Sequence, residues 1–85
     1  VERTAADAAL PVVAARSAAE AAALIAADGP TAVVVACFPW RLPARVLRLP
    51  PLGCLNVHPS LLPRGRGPEP VFWTLRRGER ETGAT

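Results

Sequence analysis

Thr31-Ala32-Val33-Val34-Val35-Ala36-Cys37-Phe38 is a continuous apolar run rich in β-branched residues, with Gly29-Pro30 before it and Pro39 after it. A strand with one wet face alternates polar and apolar positions. An unbroken run of this length instead suits a strand covered on both faces, as in a parallel sheet. Working back from it, Ser17 followed three residues later by Glu20 is the capping-box pattern, and it predicts a helix from about Ala18 to Ala27. Gly29 accepts left-handed dihedrals and Pro30 cannot extend a helix, so the two residues stop it. Further back, Val12-Val13-Ala14-Ala15, entered through Pro11, reads as a brief buried strand.

Forward of the run, Leu42 to Leu49 places Leu42, Val46, Leu47 and Leu49 among Arg41, Arg45 and Arg48, a short amphipathic helix starting near Pro43. Pro50, Pro51 and Gly53 break it. Cys54-Leu55-Asn56-Val57-His58 predicts a second strand, and Pro59 marks where the chain must leave the sheet. A loop rich in Pro, Gly and Arg runs from Ser60 to Gly67. Pro70 to Arg77 predicts a helix ended by Gly78, with Val71, Trp73 and Leu75 as candidate core positions. Glu81 to Thr85 reads as a turn entering a further strand. Strands alternating with helices imply an α/β fold with parallel strands and right-handed crossovers.

Composition narrows the class. With 85 residues the chain is one domain or part of one, and 51% apolar content argues against disorder. No apolar run approaches the roughly 20 residues that a membrane-spanning helix needs, and no secretory signal is visible, so no membrane partner and a cytoplasmic location are expected. The chain has no methionine, which suggests a piece of a longer protein. Cys37 and Cys54 are too few for a disulfide framework or a zinc ribbon; both lie in apolar runs and are expected to be reduced core residues, with no metal site. The net charge is +3, every basic residue is arginine, and residues 41 to 80 hold eight arginines against Glu69 and Glu79. Such a field can steer an anionic ligand or a nucleic acid, and it is equally compatible with an ordinary solvated face.

Asn56 and His58 stand two apart on the predicted second strand, so their side chains project to the same face near its carboxyl end, where open α/β sheets bind ligands. An imidazole exchanges protons near neutral pH, and a carboxamide donates to a developing oxyanion. The pairing suits attack of an amine on an acyl carbon. Spacing alone leaves open a plainer alternative, in which His58 is a satisfied polar residue at a strand end and Asn56 caps a turn.

The longer string Asn56-Val57-His58-Pro59-Ser60-Leu61-Leu62-Pro63, followed by Arg66-Gly67, Pro70 and Trp73, closely resembles the folate-dependent formyltransferase family. Members formylate methionyl-tRNA, glycinamide ribonucleotide or sugar nucleotides, or hydrolyse formyltetrahydrofolate. The resemblance covers about residues 10 to 85 and is strongest from 49 to 85. It implies part of a Rossmann-like formyltransferase catalytic domain, a mostly parallel sheet with flanking helices, incomplete at both ends. The family's opening strand and an Asp that pairs with the His are expected outside these residues, and the 85 residues alone are expected to be inactive.

The same resemblance implies 10-formyltetrahydrofolate as co-substrate and an amine acceptor, an aminoacyl-tRNA or a sugar nucleotide. Asn56 would polarise the formyl carbonyl, and His58 would assist proton movement between the attacking amine and the folate nitrogen. Ser60, Leu61, Leu62 and Pro63 match the folate-binding loop, with a cis Leu62-Pro63 bond. Phe38 and Leu42 fall where the family builds its pteridine pocket, although plain core packing accounts for them equally well. Arg64 and Arg66 are candidates for attracting an anionic part of donor or acceptor, or are simply solvated. Arg64-x-Arg66-Gly67 and Gly78-Glu79-x-Glu81-Thr82-Gly83 look most like the tRNA- and sugar-directed branches, and the methionyl-tRNA branch is the one expected. Pro59 looks more like the purine and dehydrogenase branches; Gly65 stands where relatives often carry a large residue, and Pro68-Glu69 replaces small residues common in tRNA-directed members. A non-catalytic folate- or nucleic-acid-binding module is the alternative from a different class.

Overall fold

The capping signal at Ser17 forms. Its hydroxyl oxygen accepts the N–H of Glu20 at 3.1 Å, while Glu20 Oε2 accepts the N–H of Arg16 at 2.8 Å, one residue before the cap. One donor that a helix start leaves without a partner is thereby satisfied, and the second bond ties the residue before the cap to the first turn. In the computed structural model, which describes residues 2–85, this cap opens helix α2 (Ala18–Asp28), preceded by a short α1 (Glu2–Asp7) that buries no residue. Gly29 closes α2 at φ 62°, its N–H donating to Ile25 O at 3.1 Å.

Strand β1 (Val33–Ala36), helix α3 (Ala44–Leu47), strand β2 (Cys54–Val57) and helix α4 (Pro70–Arg76) follow in order, so the chain is α/β. The two strands are parallel, with Val33, Val34, Val35 and Ala36 opposite Cys54, Leu55, Asn56 and Val57. The link between them is fastened to the start of the sheet: Leu52 N–H donates to Thr31 O at 3.0 Å, and Val33 N–H to Gly53 O at 3.2 Å. The buried apolar core is Ala21 and Ala22 of α2 with Val46 of α3. Cys54, on the same side of β2 as Asn56, reaches the Leu47 carbonyl at 3.8 Å and so ties the sheet to α3.

Several expectations need correction. Val12 to Ala15 is not a strand: β1 pairs only with β2, and Val12 and Val13 are exposed. Without a neighbouring ladder an extended apolar run has no partner for its backbone groups. The 31–38 run contributes only four residues to the sheet, because Cys37 adopts φ 50° and turns out of the ladder; Cys37 is exposed rather than core, and Cys54 is half-buried. Both are free thiols.

Nor is β1 covered on both faces. Val35 and Asn56 share one side, but on the other Val34 and Leu55, opposite each other, are each 67% exposed. On α4, Val71, Trp73 and Leu75 are exposed and Pro70 and Thr74 are buried. Spacing by two turns about 200° around a helix, so those three cannot share a face, whereas residues four apart do. Leu47 and Leu49 are likewise exposed, which leaves Val46 as the residue that α3 buries. No strand forms in 81–85. Among the described residues no helix is long and apolar enough to cross a membrane.

Candidate active site

Because β1 and β2 are parallel and in register, Ala36 lies opposite Val57, and both strands end at the same edge. The segments leaving that edge carry the candidate residues other than Asn56: Phe38 and Leu42 after β1, His58 to Pro63 after β2. Asn56, second from the end of β2, is exposed. His58 stands one residue beyond the strand, half-buried. Its N–H donates to Thr85 O at 2.7 Å, and its carbonyl accepts the N–H groups of Thr85 at 2.8 Å and Ser60 at 2.9 Å. The chain end therefore lies alongside the residue that follows β2.

The loop after His58 folds back onto it. His58 Nε2 lies 2.9 Å from the carbonyl oxygen of Gly65. Ser60 is 3% exposed, and its hydroxyl donates to Arg64 O at 2.8 Å. Thr85 fastens the turn from the other side: its hydroxyl donates to Ser60 O at 2.7 Å and accepts the N–H of Leu62 at 3.1 Å. The Leu62-Pro63 bond is cis, in agreement with the sequence reading. Leu61, Leu62 and Pro63 are exposed, so the turn presents an apolar outer surface while the Ser60 side chain points into its own loop.

Phe38 and Leu42 are both half-buried, and Phe38 meets Trp40 edge-to-face with ring centroids 5.4 Å apart. Trp40, Gly65 and Thr85 were not among the residues picked out as functional. Thr85 carries no local signal, since its partners lie in a distant segment. Arg66 is exposed, and Arg64 pairs with Glu79 at 3.5 Å, as does Arg77 at 3.6 Å. Such exposed pairs contribute about 0–1 kcal/mol each.

A family model described as formyl transferase matches residues 4–85. The chain belongs to the formyl transferase family. The match begins slightly earlier than the resemblance read from the sequence and otherwise spans the same residues. A methionyl-tRNA formyltransferase of Syntrophus aciditrophicus is 61% identical over 56 residues, 66% of this chain and 18% of that protein. One of Paracidovorax citrulli is 51% identical over 71 residues, 84% of this chain and 22% of that protein. One of Nitrosococcus oceani is 52% identical over 61 residues, 72% of this chain and 19% of that protein. The chain thus spans about a fifth of the length of the curated relatives it matches.

In this formyl transferase segment an exposed carboxamide and an imidazole bonded to a loop carbonyl stand at the carboxyl edge of the sheet. Apolar side chains from two loops leave the same edge. A carboxamide can donate a hydrogen bond and an imidazole can carry a proton, and Leu61, Leu62 and Pro63 present exposed apolar surface.

Proposed function

We propose that these residues form part of the catalytic domain of a cytoplasmic methionyl-tRNA formyltransferase, built on a Rossmann-like, mostly parallel sheet. The observation that carries the reading is the placement of Asn56 and His58 at the edge from which both strand-end loops depart, in a chain similar to proteins of that name. The co-substrate 10-formyltetrahydrofolate supplies an activated formyl group, and the aminoacyl-tRNA supplies the amine.

Leu61, Leu62 and Pro63, with Phe38 and Leu42 across the edge, give the pteridine a non-polar seat, and Ser60 holds that loop in shape. Asn56 donates from its amide to the formyl oxygen as the amine adds and negative charge develops there. His58 takes the proton the amine loses and returns it to the folate nitrogen as the carbon–nitrogen bond to the donor breaks. One N–C bond forms, one breaks, and the proton moves from amine to folate.

The test is formyl transfer by the purified full-length protein, from 10-formyltetrahydrofolate to methionyl-tRNA, with release of tetrahydrofolate. Formyl-methionyl-tRNA is expected. Formylation of an amino-sugar nucleotide with none of methionyl-tRNA would overturn the acceptor, and donor binding without transfer to either would leave a binding module.

A further inference from the structure

The bond between His58 and Gly65 decides which imidazole nitrogen can work. A carbonyl oxygen only accepts, so at 2.9 Å from Gly65 O the Nε2 atom carries a hydrogen, and the lone pair of the neutral ring lies on Nδ1. The position of that carbonyl is over-determined. Gly65 adopts φ 66°, and a Cβ added there would stand 2.8 Å from Ser60 Cβ and 3.2 Å from Ser60 Oγ. Ser60, in turn, is almost fully buried and donates its hydroxyl to the carbonyl of Arg64, the residue directly before Gly65. The side chain of Ser60 and the bare Cα of Gly65 therefore fit together, and the fit sets the carbonyl that holds His58.

We propose that Gly65 and Ser60 are positioning residues that keep His58 in its Nε2–H form, so that Nδ1 is the nitrogen exchanging the proton during formyl transfer. The proposal rests on the reading of His58 as the proton carrier given above. The amine proton passes to Nδ1 as the new N–C bond forms, and from Nδ1 to the folate nitrogen as the old bond breaks; Nε2 keeps its hydrogen on Gly65 O throughout. A side chain at position 65 would need a different loop contact with Ser60.

The experiment labels the full-length protein with nitrogen-15 histidine, assigns His58 by the signal lost in His58→Asn, and reads the tautomer from two-bond proton–nitrogen couplings. The unaltered protein should show the Nε2–H form. Ser60→Ala keeps the Cβ and deletes only the bond to Arg64 O, so it should fold. It should give mixed tautomers, with kcat lowered on the order of 10- to 100-fold. Gly65→Ala should do the same more strongly. An Nδ1–H form in the unaltered protein overturns the proposal, as does an unchanged tautomer in both variants. The underlying reading is checked apart from this, by turnover of His58→Ala, so its failure shows in the assay and failure of the present inference shows in the nitrogen spectrum.

Discussion

His58 and Thr85 exchange both of their backbone hydrogen bonds, at 2.7 and 2.8 Å, the pattern of a directly opposed antiparallel pair. With its hydroxyl bonded to Ser60 and Leu62 as well, Thr85 fixes both ends of the turn that begins at His58. Thr85→Val should therefore loosen the loop without removing the backbone pair. It deletes one donor and one acceptor, a loss of about 1 kcal/mol at this exposed site, while Thr85→Ser should restore most of it. Amide exchange at Leu62, faster in the Val variant and near normal in the Ser variant, is the measurement.

In the full-length protein, Asn56→Ala and His58→Ala should lower turnover far more than they weaken folate binding. An oxyanion donor acts mainly in the transition state, where its loss costs about 2.7 to 4 kcal/mol, and acid–base help is worth about 100-fold or more. Titration of 10-formyltetrahydrofolate binding beside steady-state kinetics separates the two effects. Near-normal turnover in either variant removes that residue from the mechanism.

Val46→Ala should be the costliest single truncation in residues 18–57. Val46 is 2% exposed, the largest side chain of a buried apolar core otherwise made of Ala21 and Ala22. The loss should be about 2 kcal/mol. Ser17→Ala, which removes the cap on α2, should cost about 1 kcal/mol. Urea unfolding of the two variants and their double mutant checks both values and their additivity.

What could be read from the sequence was whatever depends on near neighbours. The α2 cap and its Gly29 stop are written in short spacings, the parallel β1–β2 pair in the alternation of strands with helices, and the cis bond at Pro63 in the family resemblance of the string around it. What could not be read depends on distant partners. Val12 and Val13 have the composition of a strand and no ladder; Cys37 sits in an apolar run yet turns outward; Thr85 acts on a loop far away in sequence. The α4 core was misread for a different reason, since Val71, Trp73 and Leu75 follow a strand's period on what is a helix. For the candidate site, Asn56 and His58 were marked by their spacing and the string around them. Gly65 could only be seen as unusual until its carbonyl was found on the imidazole.

The sheet face opposite Asn56 is apolar and open. Val34 and Leu55 are register partners, each 67% exposed, and Leu52 and Leu75 are 77% and 74% exposed. A directly opposed apolar pair on an open, two-stranded sheet offers both a flat surface and unpaired edges for association. The 85-residue polypeptide should therefore self-associate at micromolar concentrations and bind a hydrophobic dye. Val34→Thr with Leu55→Thr should reduce both, because threonine is β-branched and suits a strand while adding a hydroxyl. Neither side chain contributes to the α2–α3 core, so the unfolding midpoint should move little in this polypeptide. In a full-length protein where other segments cover this face, the same pair of changes should instead lower stability by about 2 kcal/mol or more, through hydroxyls buried without partners. Sedimentation velocity on the short polypeptide and urea unfolding of the long one decide between an open and a covered face. Unchanged association in the first would mean that Val34 and Leu55 are not the surface responsible.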